Sequence, residues 1–141
     1  MSIWFAPVSL ETLGTWQRDT MMDHLGIAIT AVGDDWIEGT MPVDRRTHQP
    51  HGILHGGASV VLAETLGSYG ASLVLDQAKR RAVGQEVSAS HLRPVYSGLV
   101  IGRARPIHLG GRSQVWNIEI RNEAGQPTCV SRLTMAVIDV R

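Results

Sequence analysis

The run ASVVLAETLGSYGASLVL, residues 58–75, is the longest apolar stretch in the chain, interrupted by Glu64, Thr65, Ser68 and Ser72. It is nearly long enough to span a bilayer, but a central carboxylate is costly in hydrocarbon, so the run is expected to be a buried helix of a soluble protein. The pattern predicts one long helix over 57–76, roughly 30 Å at about 1.5 Å per residue. A helix that is apolar almost all round must be enclosed. Gly67 and Gly70 lie along one side of it with Ala63 and Ala71. Glycine inside a helix costs about 1 kcal/mol against alanine, which points to close backbone approach by a sheet or a second subunit, or to simple tolerance of small core residues.

The remaining chain supplies the enclosure. Ser9 is a plausible N-cap for a short helix at 9–19. Two extended runs in 26–43 flank the turn Gly33-Asp34-Asp35 and predict a hairpin. After the long helix, AVGQEVSASHLRPV, LVIGRARPIHL, RSQVWNIEIRNE and PTCVSRLTMAVIDV predict three or four strands, with turns at Gly110-Gly111 and at 123–126. The expected fold is α+β, a single helix held by a bent antiparallel sheet of five to six strands. No repeat or linker divides residues 1–141, so one domain is expected. Lys+Arg and Asp+Glu both count 13, leaving no net field to attract nucleic acid or an anionic membrane. The single cysteine, Cys129, cannot form an internal disulfide, and the N-terminus lacks the pattern of a secretory signal; the expected location is the cytoplasm.

Polar chemistry concentrates just ahead of the long helix, in HQPHGILHGG, residues 48–57. His48, His51 and His55 have a spacing that offers three imidazoles to a metal, but Pro50 and Gly52 break any helix that would align them. No metal is expected, and His48 and His51 read as loop histidines. Gly57-Ala58-Ser59 lacks the second glycine of a nucleophile elbow, and Cys129 falls inside a strand as a small hydrophobe. His55-Gly56-Gly57 carries more weight, because the first amides of a helix are unsatisfied and lie at its positive end. Such amides suit a carbonyl gaining negative charge during acyl transfer, or they form a glycine-rich helix entry and nothing more.

Glu64 is a carboxylate in the middle of an apolar helix, so it is either used or paired with one of the twelve arginines. Ser68, at i+4, shares its helix face, although a mid-helix serine often bonds only its own backbone. Glu64 lies eight residues beyond Gly56, about 12 Å along the axis, so one chain cannot bring the two together. If both serve one reaction, they come from two chains related by a two-fold axis.

The segments TMPVDRRTHQPHGILHGGASVVLAETLGS, SHLRP, HLGGRSQVWNIEI and SRLTMAV resemble the hotdog-fold acyl-CoA thioesterases over about residues 10–137. The nearest branch holds the 1,4-dihydroxy-2-naphthoyl-CoA, enterobactin-proofreading and Arthrobacter-type 4-hydroxybenzoyl-CoA thioesterases. The resemblance implies a hotdog fold, a central helix wrapped by a curved sheet, paired into dimers and often tetramers. It implies Glu64 as nucleophile or general base and the Gly56 amide as the group polarising the thioester carbonyl. Gln49 and His55 would flank the thioester, and Ser68 would place water or an aryl group. Gly57, His91, Arg93 and Arg112 would border the bound coenzyme A, which is part of the substrate; no separate cofactor is implied. Two rivals are a hotdog enoyl-CoA hydratase or dehydratase and a non-catalytic acyl-CoA-binding protein.

Overall fold

The computed structural model describes residues 1–141. Two short helices, α1 (Leu10–Trp16) and α2 (Met21–His24), precede strands β1 (Ala28–Val32) and β2 (Ile37–Pro42). The long helix α3 (Gly56–Val74) follows, then β3 (Arg80–His91), β4 (Leu99–Leu109), β5 (Ser113–Asn122) and β6 (Pro127–Asp139). The six strands form one antiparallel sheet in the order β1-β2-β4-β5-β6-β3. Helix α3 contacts every strand from β2 to β6, so the sheet curves about it. This is the α+β arrangement of a hotdog fold. No helix is long and apolar enough to cross a membrane.

Alternation along the strands builds the core. In β5, Gln114, Trp116, Ile118 and Ile120 are buried, and in β6 Leu133 and Met135 join them beneath Leu62, Ala63 and Leu66 of the helix. The helix glycines serve the close approach of that sheet. A β-carbon at Gly67 would meet Leu133 Cδ2 at 2.6 Å, and one at Gly70 would meet Trp116 Cη2 at 2.7 Å. Either contact is far inside van der Waals range, so a larger residue would push the helix off the sheet.

Several boundaries differ from the sequence reading. Ser9 does cap α1, accepting from Thr12 N, but the helix stops at Trp16 because the chain turns through Asp19 at φ 59. That turn creates α2, a single helical turn without periodicity to announce it. Helix α3 ends two residues early, because Asp76 starts a turn: its side chain accepts from Ala78 N, and its carbonyl from Lys79 N and Arg80 N. Strand β3 therefore begins at Arg80, and it ends at His91 ahead of Pro94, which has no N–H to give a ladder.

Candidate active site

The loop before α3 is a small structure in its own right. Thr47 is buried and donates to Pro42 O at 2.8 Å; Thr47 N and His48 N both donate to Asp44 O. Gln49 N donates to Ile53 O, and His55 N donates to Thr47 O at 2.7 Å, which closes the loop on itself. Gly52 supplies the positive φ, 78°, that this reversal needs. Asp44 accepts from the guanidinium and the backbone N–H of Arg46, which hold its carboxyl down to about 2.

This loop delivers three groups to the helix end. His55 is the N-cap, with Nδ1 accepting from Gly57 N at 2.8 Å, so its ring proton resides on Nε2. With Gly57 N engaged there, Gly56 N–H has no acceptor within the chain. The Gln49 carboxamide oxygen accepts from His51 N, leaving its NH2 without an intrachain partner. Gln49, Gly56, Ser59, His91, Arg93 and Thr128 surround a cavity of about 360 Å³. A side chain on Gly56 would run into the His91 ring, 2.7 Å from the position of a β-carbon. A larger residue at position 56 therefore requires the exposed His91 ring to move aside.

Glu64 and Ser68 lie elsewhere. They line a recess of about 240 Å³ with Met21, Met22, Val61, Thr65 and Tyr69. The Glu64 carboxylate contacts Gly84 of β3, beside the bulge between Gly84 and Glu86. None of the ion pairs in the chain includes Glu64, so the arginine partner that would make it structural is absent. Ser68 Oγ lies 3.9 Å from Met135 Sδ and does not bond back to the helix, whereas Thr65 Oγ1 donates to Val61 O at 2.7 Å. Burial raises the Tyr69 phenol above its usual range.

The two cavities share no residue. Gln49, Gly56, His91 and Arg93 are thus brought together, His55 and Gly57 flank Gly56 in the chain without lining that cavity, and Glu64 with Ser68 stands apart on the same helix. Arg112 joins neither group. It lies in an open depression of about 760 Å³ with Arg80, Arg81 and Arg141, where Asp139 is the only acidic lining residue. Sequence reasoning missed those three arginines; the run Lys79-Arg80-Arg81 reads as a turn, and nothing in it signals that Arg112 is a neighbour. No group of three or more His, Cys, Asp or Glu side chains is gathered as a metal would need.

The chain resembles known proteins closely. A family model described as the thioesterase superfamily matches residues 51–129. The proofreading thioesterase EntH of Cronobacter sakazakii is 51% identical over 136 residues, 96% of this chain and 98% of that protein. The 1,4-dihydroxy-2-naphthoyl-CoA hydrolase of Escherichia coli is 47% identical over 136 residues, 96% of this chain and 99% of that protein. The crystal structure of a thioesterase from Haemophilus influenzae superposes with a TM-score of 0.94 at 52% identity, covering 97% of this chain and 95% of that one.

Proposed function

The chain belongs to the thioesterase superfamily, and from that premise we propose that it hydrolyses aromatic hydroxyacyl-CoA thioesters to the free acid and coenzyme A. The observation that carries this reading is a division of labour along one helix. Its N-terminus offers an amide donor with no partner at Gly56, beside the free NH2 of Gln49, and its middle offers a carboxylate with no ion-pair partner at Glu64. Donors at the carbonyl oxygen stabilise the charge that develops there, while the carboxylate attacks the carbonyl carbon or takes a proton from attacking water. His55 Nε2–H faces the leaving sulfur, and Ser68 positions the water or the aryl group. The reaction needs no metal or separate cofactor.

Because one chain separates the two functions by about 12 Å of helix, each complete site draws Gly56 from one subunit and Glu64 from its partner. Strand β3 supports such a dimer. It is twelve residues long and forms a sheet edge with one side unpaired, and an edge of this kind pairs readily with a second copy. Two-fold pairing about the Gly84–Glu86 bulge lays the Arg80 end of one strand beside the His91 end of the other. The cluster of Arg80, Arg81, Arg112 and Arg141 then approaches the cavity holding His91 and Arg93, giving coenzyme A phosphates charge-assisted partners. Dimers pair further into tetramers, and the whole chain acts as one domain in the cytoplasm.

A mixing experiment tests the composite site. Glu64→Ala and Gly56→Val are each inactive alone, but in a co-refolded mixture the heterodimer regains one intact site. About a quarter of wild-type activity is expected if subunits assort at random. No recovery, with exchange verified by mass spectrometry, would place both functions in one chain and remove this reading. Thiol release from benzoyl-, hydroxybenzoyl-, naphthoyl- and aliphatic-CoA identifies the acyl class, and unchanged enoyl-CoA absorbance separates a hydrolase from a hydratase.

A further inference from the structure

Tyr69 lines the recess that holds Glu64 and Ser68. Trp16 lines a different cavity, about 350 Å³, at the C-terminal end of α3, whose apolar surface comes from Phe5, Val8, Leu13, Leu73 and Leu75. The two cavities have no residue in common. Trp16 and Tyr69 meet where they adjoin, edge to face, with ring centroids 5.4 Å apart and an interplanar angle of 82°. The Tyr69 side chain is only 8% exposed, and its buried hydroxyl has no hydrogen-bond partner. The ring is therefore held by packing alone, and the wall it makes depends on its bulk.

We propose that the Trp16–Tyr69 pair fixes the depth of the acyl recess, ending it after a ring-sized acyl group and closing it from the apolar cavity behind. The recess, about 240 Å³, is small and mostly apolar, and Glu64 is among the residues that line it. A flat aromatic acyl group fits ahead of the wall. A long saturated chain has nowhere to continue unless the wall is removed, and then it reaches a second apolar space of greater size. The inference rests on the Glu64 recess being the acyl site. It adds two specificity-determining residues, at positions the catalytic chemistry does not use.

The test compares kcat/KM for benzoyl-CoA and palmitoyl-CoA in the wild type, Tyr69→Ala, Trp16→Ala and Tyr69→Phe. Removing either side of the wall is expected to raise the palmitoyl-to-benzoyl ratio about tenfold or more, because discrimination by pocket shape has that scale. Tyr69→Phe keeps the ring and is expected to keep the wild-type ratio. The proposal is overturned if folded Tyr69→Ala or Trp16→Ala retains the wild-type ratio, or if the wild type already cleaves both thioesters equally well. Should Tyr69→Ala not fold, Trp16→Ala decides alone, since Trp16 is only half-buried and its loss opens the wall from the outer side. If the wild type cleaves no thioester at all, the hydrolase reading has failed. Calorimetric binding of the two thioesters to the wild type and Trp16→Ala then tests the wall separately: a change in relative affinity supports it, and none overturns it.

Discussion

The two ends of the proposed chemistry are built in opposite ways. The start of α3 is polar and locally determined: a loop closed by its own backbone bonds, a histidine cap and an amide left over. The middle of α3 is apolar and assembled from distant parts, with methionines from α2, the Gly84 bulge of β3 and one carboxylate. In the proposed chemistry the first region donates hydrogen bonds, chiefly to the carbonyl, and the second supplies an attacking or proton-accepting oxygen. In the proposed reading neither is a site alone, and the difference between them is what calls for a second subunit.

The comparison breaks first at Glu64. Glu64→Gln keeps the side chain's size and should lower kcat by about 10³–10⁴ while leaving KM within a few-fold. A variant within tenfold of wild-type kcat would show that the apolar half contributes no chemistry. At the polar half, Gly56→Ala should cost about 10²-fold in kcat/KM, because the new methyl meets the His91 ring and displaces the amide. Adding His91→Ala should recover part of that loss if the collision is its cause. Two equal losses that simply multiply would instead make His91 an independent participant.

Smaller effects separate donors from scaffolding. Gln49→Ala removes one donor and should cost about tenfold in kcat/KM with the melting temperature unchanged. His55→Ala should cost a similar factor but also about 1 kcal/mol of stability, because its ring caps the helix. An unchanged melting temperature there would show that Gly57 N finds water as a sufficient replacement. Farther out, Arg112→Glu should raise KM for a CoA thioester several-fold, more at low salt, and leave a thioester of N-acetylcysteamine unaffected. Equal effects on both substrates would detach the arginine cluster from the phosphates.

The same contrast explains what the sequence made legible. Helix α3, its glycine-rich entry, the Ser9 cap and the four long strands follow from periodicity and short-range turn chemistry. Glu64 stood out because a carboxylate is conspicuous in ASVVLAETLGS. The surroundings of Glu64 did not, since Met21, Met22 and Gly84 arrive from elements 43 and 20 residues away. Arg112 illustrates the same limit from the other side. Its residue type suggested phosphate binding, yet its company of Arg80, Arg81 and Arg141 depends on the pairing of β3 with β6 and on the β4–β5 turn. Trp16 of α1 and Tyr69 of α3 meet edge to face although they lie far apart in the chain, and no local pattern announces that contact.

Acid should weaken the polar half selectively. Asp44 has a carboxyl held at about 2 against an ordinary 3.8, first by the hydrogen bond from the Arg46 side chain and then by that from its backbone N–H. A depressed folded-state value means that the carboxylate's contribution to stability is complete above about 3.8 and is lost as pH falls through about 2. The pair is exposed, so the effect is small. Melting curves of the wild type and Asp44→Asn between pH 2 and 5 should therefore differ modestly at the upper end and converge toward the lower. A constant gap across that range would mean that Asp44 shapes the loop through its backbone carbonyl, which accepts from Thr47 N and His48 N, and not through its charge. Hydrogen exchange at the backbone amides of His48 and His55, which donate to Asp44 O and Thr47 O, locates the effect over the same range: their protection should fall as Asp44 is protonated, while that of Thr65 and Leu66, deep in the apolar half, stays level.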